Sequence, residues 1–348
     1  MMRFSIRQKL GALLLDLPRY IYLALISKLL GRNYLLRFKN RRDDISIVRE
    51  HEGVACHWQW TSDLHLPRVI PLAGQHLFRS CMHYAPIRLD NSGKAISNEP
   101  KLSFVIGHRG EDRLPLLLAT IDSIGAQSNC NVECIVVEQS ATPTISAALP
   151  HWVRFYHQKV AQDQAYSRSM AFNYGALQAR SEHLILHDND LIIPECYAIE
   201  HLNWHAKGYD FVNLKRFIFY ISEAATVRFL QQGKTQNLQV DSIMQNAQGG
   251  GSIGASKKAY FDIGGFDERF LGWGGEDNEF WQRAQTRKTW SHANLPLIHL
   301  WHSPQEEKVE TNSSANKELY NELSSLTPKA RITALKRHHS NKSPKQTL

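Results

Sequence analysis

The sequence lacks three features that would assign it to a class of protein at once. Its five cysteines include no Cys-X-X-Cys pair, which argues against a disulfide framework or a zinc site and favours a reducing compartment. It shows no signal-peptide cleavage pattern. It also lacks an uninterrupted run of about 20 apolar residues, so it predicts no membrane-spanning helix. A globular protein with a substantial hydrophobic core is therefore expected.

Acidic residues are nearly absent from residues 1–42, which carry ten Lys or Arg and a single acid, Asp16. Residues 11–31 are strongly apolar but are interrupted by Asp16, Pro18 and Lys28. A basic flank beside Leu, Ile and Tyr is typical of a helix that lies in the interface of an anionic membrane. Packing of this segment on the rest of the protein is an equally open interpretation.

Composition divides the chain into four segments. Residues 1–42 are predicted to be a basic amphipathic, membrane-associating segment. Residues 43–99 mix aromatics, histidines and prolines without a clear period, which predicts an irregular accessory region. Residues 100–305 hold the ordered domain, and residues 306–348 are predicted to be a polar, basic tail with little order.

Strand and helix patterns alternate from Lys101 onward. The stretches LSFVIG, CIVVEQ and HLILHDNDLIIP are predicted to be strands, with helical patterns between them. This alternation predicts an α/β fold with a mainly parallel central sheet and helices on both faces. Ligands of such sheets bind beyond the carboxyl ends of the strands. His108, Glu138 and Asp188 fall at those ends.

Asp188 and Asp190 follow one of these apolar strands. Residues i and i+2 of an extended chain project to the same side, so both carboxylates can face one cation while Asn189 turns away. Hard oxygen ligands of this kind suit Mg²⁺ or Mn²⁺ bound together with substrate phosphates. The same residues could instead be turn formers, because a lone Asp-X-Asp is a weak motif.

The most distinctive stretch is GGFDERFLGWGGEDNEFWQR. Gly274 and Gly275 allow the backbone to come close to a ligand, and Trp273 offers a flat apolar face. Glu276 and Asp277 stand where a helical pattern begins. A carboxylate at a helix start is stabilised by the helix dipole, so Asp277 is expected to be ionised and able to accept a proton. An ordinary loop followed by a helix cap is the alternative.

His299 and His302 end the last predicted strand, PLIHLWH. Residues three apart do not share a strand face, so at most one of these histidines is expected to be a direct metal ligand unless the strand bends. An imidazole beside a carboxylate favours Mn²⁺ over Mg²⁺.

The α/β half, together with three motifs, resembles the GT-A glycosyltransferases. The motifs are HDNDLIIP, GGGSIGASKKAYFDIGGFDERFLGWGGEDNEFWQR and IHLWHS. The second half is similar to the β-1,4-galactosyltransferase-type C-terminal domain, which also occurs in chondroitin-polymerase-like bacterial transferases of family 2. The resemblance covers roughly residues 101–303. It implies a nucleotide-diphospho-sugar transferase (GT-A) fold, with a nucleotide-binding half at 100–195 and an acceptor half at 196–305. Asn278 departs from the galactosyltransferase type, which has Asp there.

The resemblance implies a role for each matching residue. Asp277 would be the base that deprotonates the acceptor hydroxyl, and Glu276 would hold a sugar hydroxyl. The implied metal ligands are Asp190 and His302. His299 stands at a position that some relatives use as a further ligand. Asp188 would contact the ribose or a metal-bound water. The residues implied to line the donor are His108, Arg109, Glu138, Arg168, Asp188, Gly250, Gly251, Trp273, Gly274 and Gly275.

The implied activity is metal-dependent, inverting transfer of galactose or an N-acetylhexosamine from a UDP-sugar to a glycan or lipid-linked glycan acceptor. Mn²⁺ or Mg²⁺ would be the cofactor. The expected setting is surface polysaccharide synthesis at the cytoplasmic face of a bacterial membrane, with no nucleic-acid partner. Inversion is favoured because a related retaining branch has Asn where this chain has Asp277. Two alternatives stay open: a nucleotidyltransferase of similar fold, and a non-catalytic basic protein that binds nucleic acid or lipid.

Overall fold

The computed structural model describes residues 5–48, 53–90, 99–272, 274–303 and 312–341, with the backbone alone at 312–313 and 338–341. Within these residues the α-helices are, in chain order, Ile6–Gly11 (α1), Leu17–Leu30 (α2), His65–Val69 (α3), Pro71–Tyr84 (α4), Leu114–Gly125 (α5), Arg168–Gln178 (α6), Tyr197–Ala206 (α7), Glu223–Gln232 (α8), Lys257–Asp262 (α9), Glu276–Ala284 (α10), Asn312–Ser324 (α11) and Pro328–Asn341 (α12).

The β-strands of the same described residues are Ile45–Ile47 (β1), Val54–Cys56 (β2), Ser62–Asp63 (β3), Leu102–His108 (β4), Val132–Ser140 (β5), Val153–Lys159 (β6), His183–His187 (β7), Leu191–Ile192 (β8), Phe211–Val212 (β9), Lys215–Ile221 (β10), Val240–Gln245 (β11), Ser252–Ser256 (β12), Thr289–Trp290 (β13) and Leu295–His299 (β14). β1 and β2 pair as a small antiparallel ribbon, and the other strands form two larger sheets.

The larger sheet has the strand order β13-β9-β12-β7-β4-β5-β6. β6, β5, β4 and β7 are parallel, while β12 is antiparallel to both of its neighbours. Because side chains alternate along a strand, Phe104 and Ile106 pack in the hydrophobic cluster that includes α5 and α7, and Val105 packs with α6 on the other face. The predicted α/β fold, a mainly parallel sheet with helices on both faces, is confirmed.

The second sheet has the order β3-β11-β10-β14-β8, in which only β10 and β14 run parallel. The sequence FVNLKRFIFYIS has the apolar pattern of a single strand. It is divided instead: Phe211–Val212 belong to the larger sheet and Lys215–Ile221 to the second sheet. The chain passes between the sheets again after β7, because β8 follows it directly in the second sheet. The Asp188–Asp190 turn therefore lies at the junction of the two sheets.

A nearly continuous helix occupies residues 6–30, with a π-helical turn at Ala12–Asp16 between α1 and α2. Pro18 lacks an N–H and its ring clashes with the preceding turn, which accounts for the irregular turn ahead of it. By length and composition alone the helix could cross a membrane, a test that the core helix of a soluble protein and a signal sequence also pass. One face of it is packed: the Tyr20 hydroxyl donates to the Ala73 carbonyl at 2.9 Å.

Residues 65–84, within the segment expected to be irregular, form α3 and α4, so that expectation is wrong for this part. Leu77 and Phe78 are buried, and the Phe78 ring lies 5.2 Å from that of Phe219 in the second sheet. The prolines hid these helices in the sequence. Pro71 in fact occupies the first turn of α4, where a missing N–H does no harm.

The expectation of a poorly ordered tail is wrong for α11 and α12. Arg331 of α12 is only 3% exposed. Its Nη1 lies 3.3 Å from Glu279 Oε1, and its Nη2 donates to Gln282 Oε1 at 2.8 Å. Glu279 also pairs with the buried Arg283 at 2.6 Å. Basic residues of the C-terminal segment thus hold α12 against α10.

Candidate active site

A cleft of 680 Å³ opens at the junction of the two sheets, a volume suited to a small-molecule ligand. The cleft is lined by most of the residues that the sequence singled out, namely Arg109, Arg168, Asp188, Asp190, Gly250, Gly251, Gly274, Gly275, Glu276, Asp277, His299 and His302. Trp273, also singled out, lies outside the described residues.

The Asp188–Asp190 turn is fixed from beneath by a buried histidine. His187 Nε2 donates to the Leu191 carbonyl at 3.0 Å, and its Nδ1 accepts from the Ser252 hydroxyl at 2.8 Å. Burial lowers the pKa of His187 to about 4, which keeps the ring neutral and able to play both roles. The Asp188 N–H donates to the Gly251 carbonyl at 2.8 Å. Both ends of the turn are therefore tied to neighbouring strands.

Asp190, His299 and His302 each offer one ligand atom, and these atoms lie within 4.8 Å of one another. His299 ends β14 and pairs with Leu191. Its Nε2 lies 3.8 Å from Asp190 Oδ1, and His302 Nε2 lies 3.3 Å from Asp190 Oδ2. At most one histidine was expected to be a direct metal ligand unless the strand bends. The strand does end at His299, and the Leu300 N–H bonds to the Asp190 carbonyl at 3.0 Å, so both rings lie near this carboxylate.

The donor set of this cluster, one carboxylate and two imidazoles, is suited to a divalent metal ion. Burial opposes ionisation of Asp190, but His299, His302 and Arg113 outweigh it and hold the pKa of Asp190 well below its usual range. His302 Nδ1 lies 2.7 Å from the Ser303 carbonyl, which orients the ring with Nε2 towards Asp190. The site thus keeps a charged carboxylate between two oriented rings.

Arg113 was not singled out in the sequence, and it lies at the edge of this cluster. Its Nη1 is 3.4 Å from Asp190 Oδ2 and its Nη2 is 2.9 Å from His302 Nδ1. The residue precedes α5 and follows the strand-end turn after His108. Its sequence context, HRGEDR, indicated a turn and gave no sign of which arginine would reach the cleft.

Arg168, the first residue of α6, is shared by three carboxylates. Its Nε donates to Asp188 Oδ1 at 2.7 Å, and its Nη1 lies 3.6 Å from Glu276 Oε1 and also bonds to Asp277 Oδ1. Among the described residues, the cluster of possible metal ligands does not include Asp188. That Asp188 and Asp190 face one cation stays a prediction: in this structure Asp188 bonds to Arg168, and Asp190 lies beside His299 and His302.

Burial raises the pKa of both Glu276 and Asp188 to about 7. Neighbouring charges contribute to these values: Asp277 raises the pKa of Glu276 and Arg168 lowers it, while for Asp188 Arg168 lowers the pKa and Asp190 and Asp277 raise it. Three carboxylates around one guanidinium carry more negative charge than it can neutralise. The ligand-free cleft consequently binds a proton near neutral pH.

We expect Glu276→Gln to gain stability relative to the unmodified protein as the pH rises from about 4.5 to about 7. The pKa of Glu276 is 4.5 without perturbation and about 7 in the fold. A raised folded pKa contributes stability that is complete below the unfolded pKa and is lost as the pH rises through the folded pKa. The glutamine side chain does not titrate in this range, so the variant lacks this pH-dependent contribution. Thermal unfolding of both ligand-free proteins from pH 4 to 8 measures this, and a pH-independent difference in Tm would contradict the assignment.

Glycines allow the start of α10 to approach the loop before β12. A Cβ atom on Gly249 would lie 2.6 Å from the Asp277 carbonyl oxygen, and one on Gly250 would lie 3.1 Å from Asp277 Oδ2. Gly275, with φ of 91°, precedes the first helical residue, Glu276. Asp277 is therefore the second residue of α10, as the sequence indicated, and the helix dipole there favours its negative charge.

His108 and Glu138 do not belong to the described residues that line the cleft. His108 is buried, and its Nδ1 accepts from Asn189 Nδ2 at 2.8 Å while its Nε2 donates to the Gly110 carbonyl at 2.8 Å. Glu138 accepts from the Thr144 N–H at 3.1 Å. In this structure both residues hold loops next to the cleft. Arg109, which directly follows His108, does line the cleft.

Two further residues that sequence reasoning missed support the site. Tyr220 stacks on His299 with ring centroids 4.2 Å apart. Lys215 is buried, and its Nζ donates to Asn213 Oδ1 at 2.8 Å and to the Gln248 carbonyl at 3.0 Å. Burial lowers the pKa of Lys215 to about 7. Both residues lie within one apolar strand pattern, which gave no indication that Tyr220 would line the cleft or that Lys215 would bond to the loop that carries Gln248.

Two family models match the chain. The model described as glycosyl transferase family 2 matches residues 103–259, and the one described as N-terminal domain of galactosyltransferase matches residues 235–291. Asp190 and Asp277 fall within the matched region, whereas His299 and His302 lie beyond it. No curated protein matches the chain.

Two solved structures are similar in fold at low identity. One is the mannosyltransferase PcManGT from Pyrobaculum calidifontis in complex with GDP-Man and Mn²⁺, at 13% identity and a TM-score of 0.41, covering 67% of this chain and 65% of that one. The other is S. aureus TarS 1-349 in complex with UDP, at 13% identity and a TM-score of 0.39, covering 58% and 59%. The chain spans less than two thirds of the length of either structure.

Proposed function

Since this chain is a glycosyltransferase of the GT-A type, we propose that it catalyses metal-dependent, inverting transfer of a sugar from a UDP-sugar to a glycan acceptor. One observation carries the proposal: a cluster suited to a divalent cation, at Asp190, lines the same cleft as a carboxylate on a helix start, Asp277. This pairing separates the proposal from a nucleotidyltransferase, which needs no acceptor base there, and from a non-catalytic binding protein.

Asp190, His299 and His302 would hold the cation, and the two imidazoles favour Mn²⁺ over Mg²⁺. When bound, the cation neutralises the charge that develops on the leaving diphosphate. Arg113 adds a second positive charge at the same wall, and its guanidinium can donate two hydrogen bonds to phosphate oxygens. Arg109 lines the cleft and is proposed to contact the nucleotide.

Asp277 is proposed to accept the proton of the acceptor hydroxyl. As the proton moves to the carboxylate, the hydroxyl oxygen bonds to the anomeric carbon and the bond from that carbon to the diphosphate oxygen breaks. A single displacement of this kind inverts the anomeric configuration. Glu276, whose Oε2 accepts from the Gly274 N–H at 3.1 Å, is proposed to hold a sugar hydroxyl, with Trp273 as the platform for the sugar ring.

The donor sugar is proposed to be galactose or an N-acetylhexosamine, and the product a surface polysaccharide of a bacterium. The enzyme would act at the cytoplasmic face of the membrane. The described cysteines are all free, which agrees with a reducing compartment: Cys56, Cys81, Cys130, Cys134 and Cys196.

The helix at residues 6–30 is proposed to lie in the surface of an anionic membrane. Leu14, Leu25 and Leu29 on its outer face are 69%, 57% and 80% exposed. The opposite face is held to the protein by Tyr20, so a spanning orientation would have to break these buried contacts. Lysine and arginine residues around an exposed apolar face suit anionic headgroups.

Replacing Leu14, Leu25 and Leu29 together by glutamate is expected to reduce binding to vesicles of phosphatidylglycerol and phosphatidylcholine by at least about tenfold. Each leucine that enters the interface contributes about 1.5 to 3 kcal/mol when fully buried, and the added charges repel anionic lipid. Co-sedimentation measures the bound fraction. Leu177→Glu, at a leucine that is 49% exposed on α6, serves as the matched control. Unchanged binding of the triple variant would exclude this surface.

A thermal-shift panel tests the proposed function on the full chain. UDP, GDP, CMP and a set of UDP-sugars are each measured with and without Mn²⁺. We expect stabilisation by UDP that depends on Mn²⁺ and is strongest with one UDP-sugar, because a ligand at 100 times its Kd adds about 2.7 kcal/mol. Stabilisation by GDP or CMP instead would overturn the choice of donor. No response to any nucleotide would overturn the proposed activity.

A further inference from the structure

A second pocket, of 380 Å³, adjoins the catalytic cleft, and Gln248 and Asn278 line both. The remaining residues that line this pocket are Cys56, His57, Trp58, Gln59, Gln282 and Gln285. None of the described residues on its walls is Asp, Glu, Lys or Arg, and five are glutamine or asparagine. We call this pocket the amide groove. The mechanism proposed above uses none of it.

Two aromatic residues lie where the amide groove meets the cleft. Trp60 and Tyr320 both line the cleft, and their ring centroids are 5.9 Å apart. Trp60 is 52% exposed, which is unusual for so large an apolar side chain. The Tyr320 hydroxyl accepts from Gln59 Nε2 at 2.9 Å and from Gln282 Nε2 at 2.8 Å. The entrance to the groove is therefore an aromatic surface bordered by amides.

The loop that carries Trp60 is held in place before any ligand binds. Asn246 Nδ2 donates to the Trp60 carbonyl at 3.2 Å and also bonds to the Trp58 carbonyl. Gln248 Nε2 donates to the Trp58 carbonyl at 3.3 Å. On the other side, Tyr320 of α11 packs in a small hydrophobic cluster with Phe270. A preformed surface loses less conformational entropy on binding than a mobile one.

We propose that the amide groove binds a neutral oligosaccharide segment of the acceptor, one or more units away from the hydroxyl that reacts. Sugar rings present apolar C–H faces that pack on aromatic rings, and their hydroxyls both donate and accept, as amide side chains do. The absence of Asp, Glu, Lys and Arg from the described groove walls, where His57 is the one histidine, favours a neutral glycan over one that carries carboxylate or sulfate groups.

The position of the groove fits an acceptor that extends from the catalytic carboxylate. Asn278 follows Asp277 directly on α10 and belongs to both cavities. An acceptor whose hydroxyl reaches Asp277 can therefore continue past Asn278 into the groove. Gln59 and Tyr320 lie outside the segments that the two family models match, residues 103–259 and 235–291. Segments on either side of the matched region therefore contribute to the groove and its entrance, together with Gln248, Asn278, Gln282 and Gln285 from within it.

The inference rests on the proposed function, and its test separates the two. The full chain, loaded with UDP and Mn²⁺, is applied to an array of neutral oligomers of glucose, galactose and N-acetylglucosamine, one to six units long, beside uronic-acid and sulfated oligomers. We expect retention by a neutral oligomer that improves with length. Isothermal titration with that oligomer should show about tenfold weaker binding by Trp60→Ala, with affinity restored by Trp60→Phe.

Tyr84→Ala, at a tyrosine that is 44% exposed on α4, serves as the matched control and should bind like the unmodified protein. The thermal response to UDP and Mn²⁺ should stay unchanged in Trp60→Ala, which also establishes that the variant is folded. If that response is present and either no neutral oligomer binds or Trp60→Ala binds with full affinity, the inference is wrong and the proposed function stands. If the unmodified protein shows no response to UDP, the proposed function itself fails. Preferential binding of acidic oligomers would likewise overturn the inference.

Discussion

Asp277→Asn is expected to lower the rate of sugar transfer by about 10² to 10⁴, the usual contribution of a general base. An asparagine cannot take up the proton of the acceptor hydroxyl, so the hydroxyl would have to attack while still protonated. The substitution preserves the size of the side chain beside the glycine loop, where Asp277 Oδ2 lies 3.1 Å from the Cβ position of Gly250. The start of α10 should therefore keep its position.

Donor binding should survive this substitution. Arg168 keeps its hydrogen bond to Asp188 at 2.7 Å, and the Asp190 cluster does not involve Asp277. We therefore expect kcat to fall while the thermal response to UDP with Mn²⁺ stays the same. The surface substitution Asp262→Asn is a matched control, because Asp262 pairs with Lys258 on α9. Full turnover by Asp277→Asn would show that another group takes the proton.

The contact between Asp277 and Arg168 has a consequence for the reaction. In the ligand-free protein Arg168 holds the proposed base together with Asp188 and Glu276. A carboxylate paired in this way is occupied by the guanidinium, and it is free to contact the acceptor hydroxyl when the guanidinium moves to another anion. The donor diphosphate is such an anion. Binding of donor before acceptor is the order of events that this arrangement favours.

The fold was largely predictable, because the central strands are fully apolar and alternate with helices of clear period. Phe104, Val105 and Ile106 needed no knowledge of their partners to be assigned to a buried strand. The division of FVNLKRFIFYIS between two sheets was not predictable in the same way. Both halves are apolar, and only the positions of β12 and β14 determine which sheet each half joins.

Side chains whose position depends on a partner far along the chain were the ones that sequence reasoning misplaced. Asp188 was predicted to share a cation with Asp190, whereas in this structure it is ion-paired with Arg168, 20 residues before it in the chain. His302 was expected to turn from the face of His299, but the strand ends between them. The segment around Arg331 likewise has the composition of a tail. It forms a helix that is held by a buried contact with Glu279, 52 residues away.

The candidate site was predictable where a local pattern encodes the chemistry. Asp277 was placed correctly at a helix start, because two glycines followed by acidic residues and then an amphipathic run mark such a start. Arg113, Trp60 and Tyr320 carry no such local signal. They reach the cleft only because a turn, a loop and a C-terminal helix converge on it.

Asp190→Ala is expected to abolish the thermal response to UDP with Mn²⁺ and to lower transfer by about 10³, since charge stabilisation by a metal contributes several kcal/mol. The carboxylate lies between His299 and His302, at 3.8 and 3.3 Å from their Nε2 atoms, and it supplies the only negative charge of the cluster. Without it, the cation would have only the two imidazoles as ligands, and the Arg113 guanidinium beside them would repel it.

Asp188→Asn is the informative comparison for Asp190→Ala, because the two carboxylates are two residues apart and serve different partners. Asp188 is bonded to Arg168 and, among the described residues, is absent from the cluster of possible ligands. We therefore expect Asp188→Asn to retain a Mn²⁺-dependent response to UDP that Asp190→Ala lacks, measured by thermal shift across a Mn²⁺ titration. If both variants lose the response equally, Asp188 must turn towards the cation when donor binds, and its ion pair with Arg168 would belong to the ligand-free state alone.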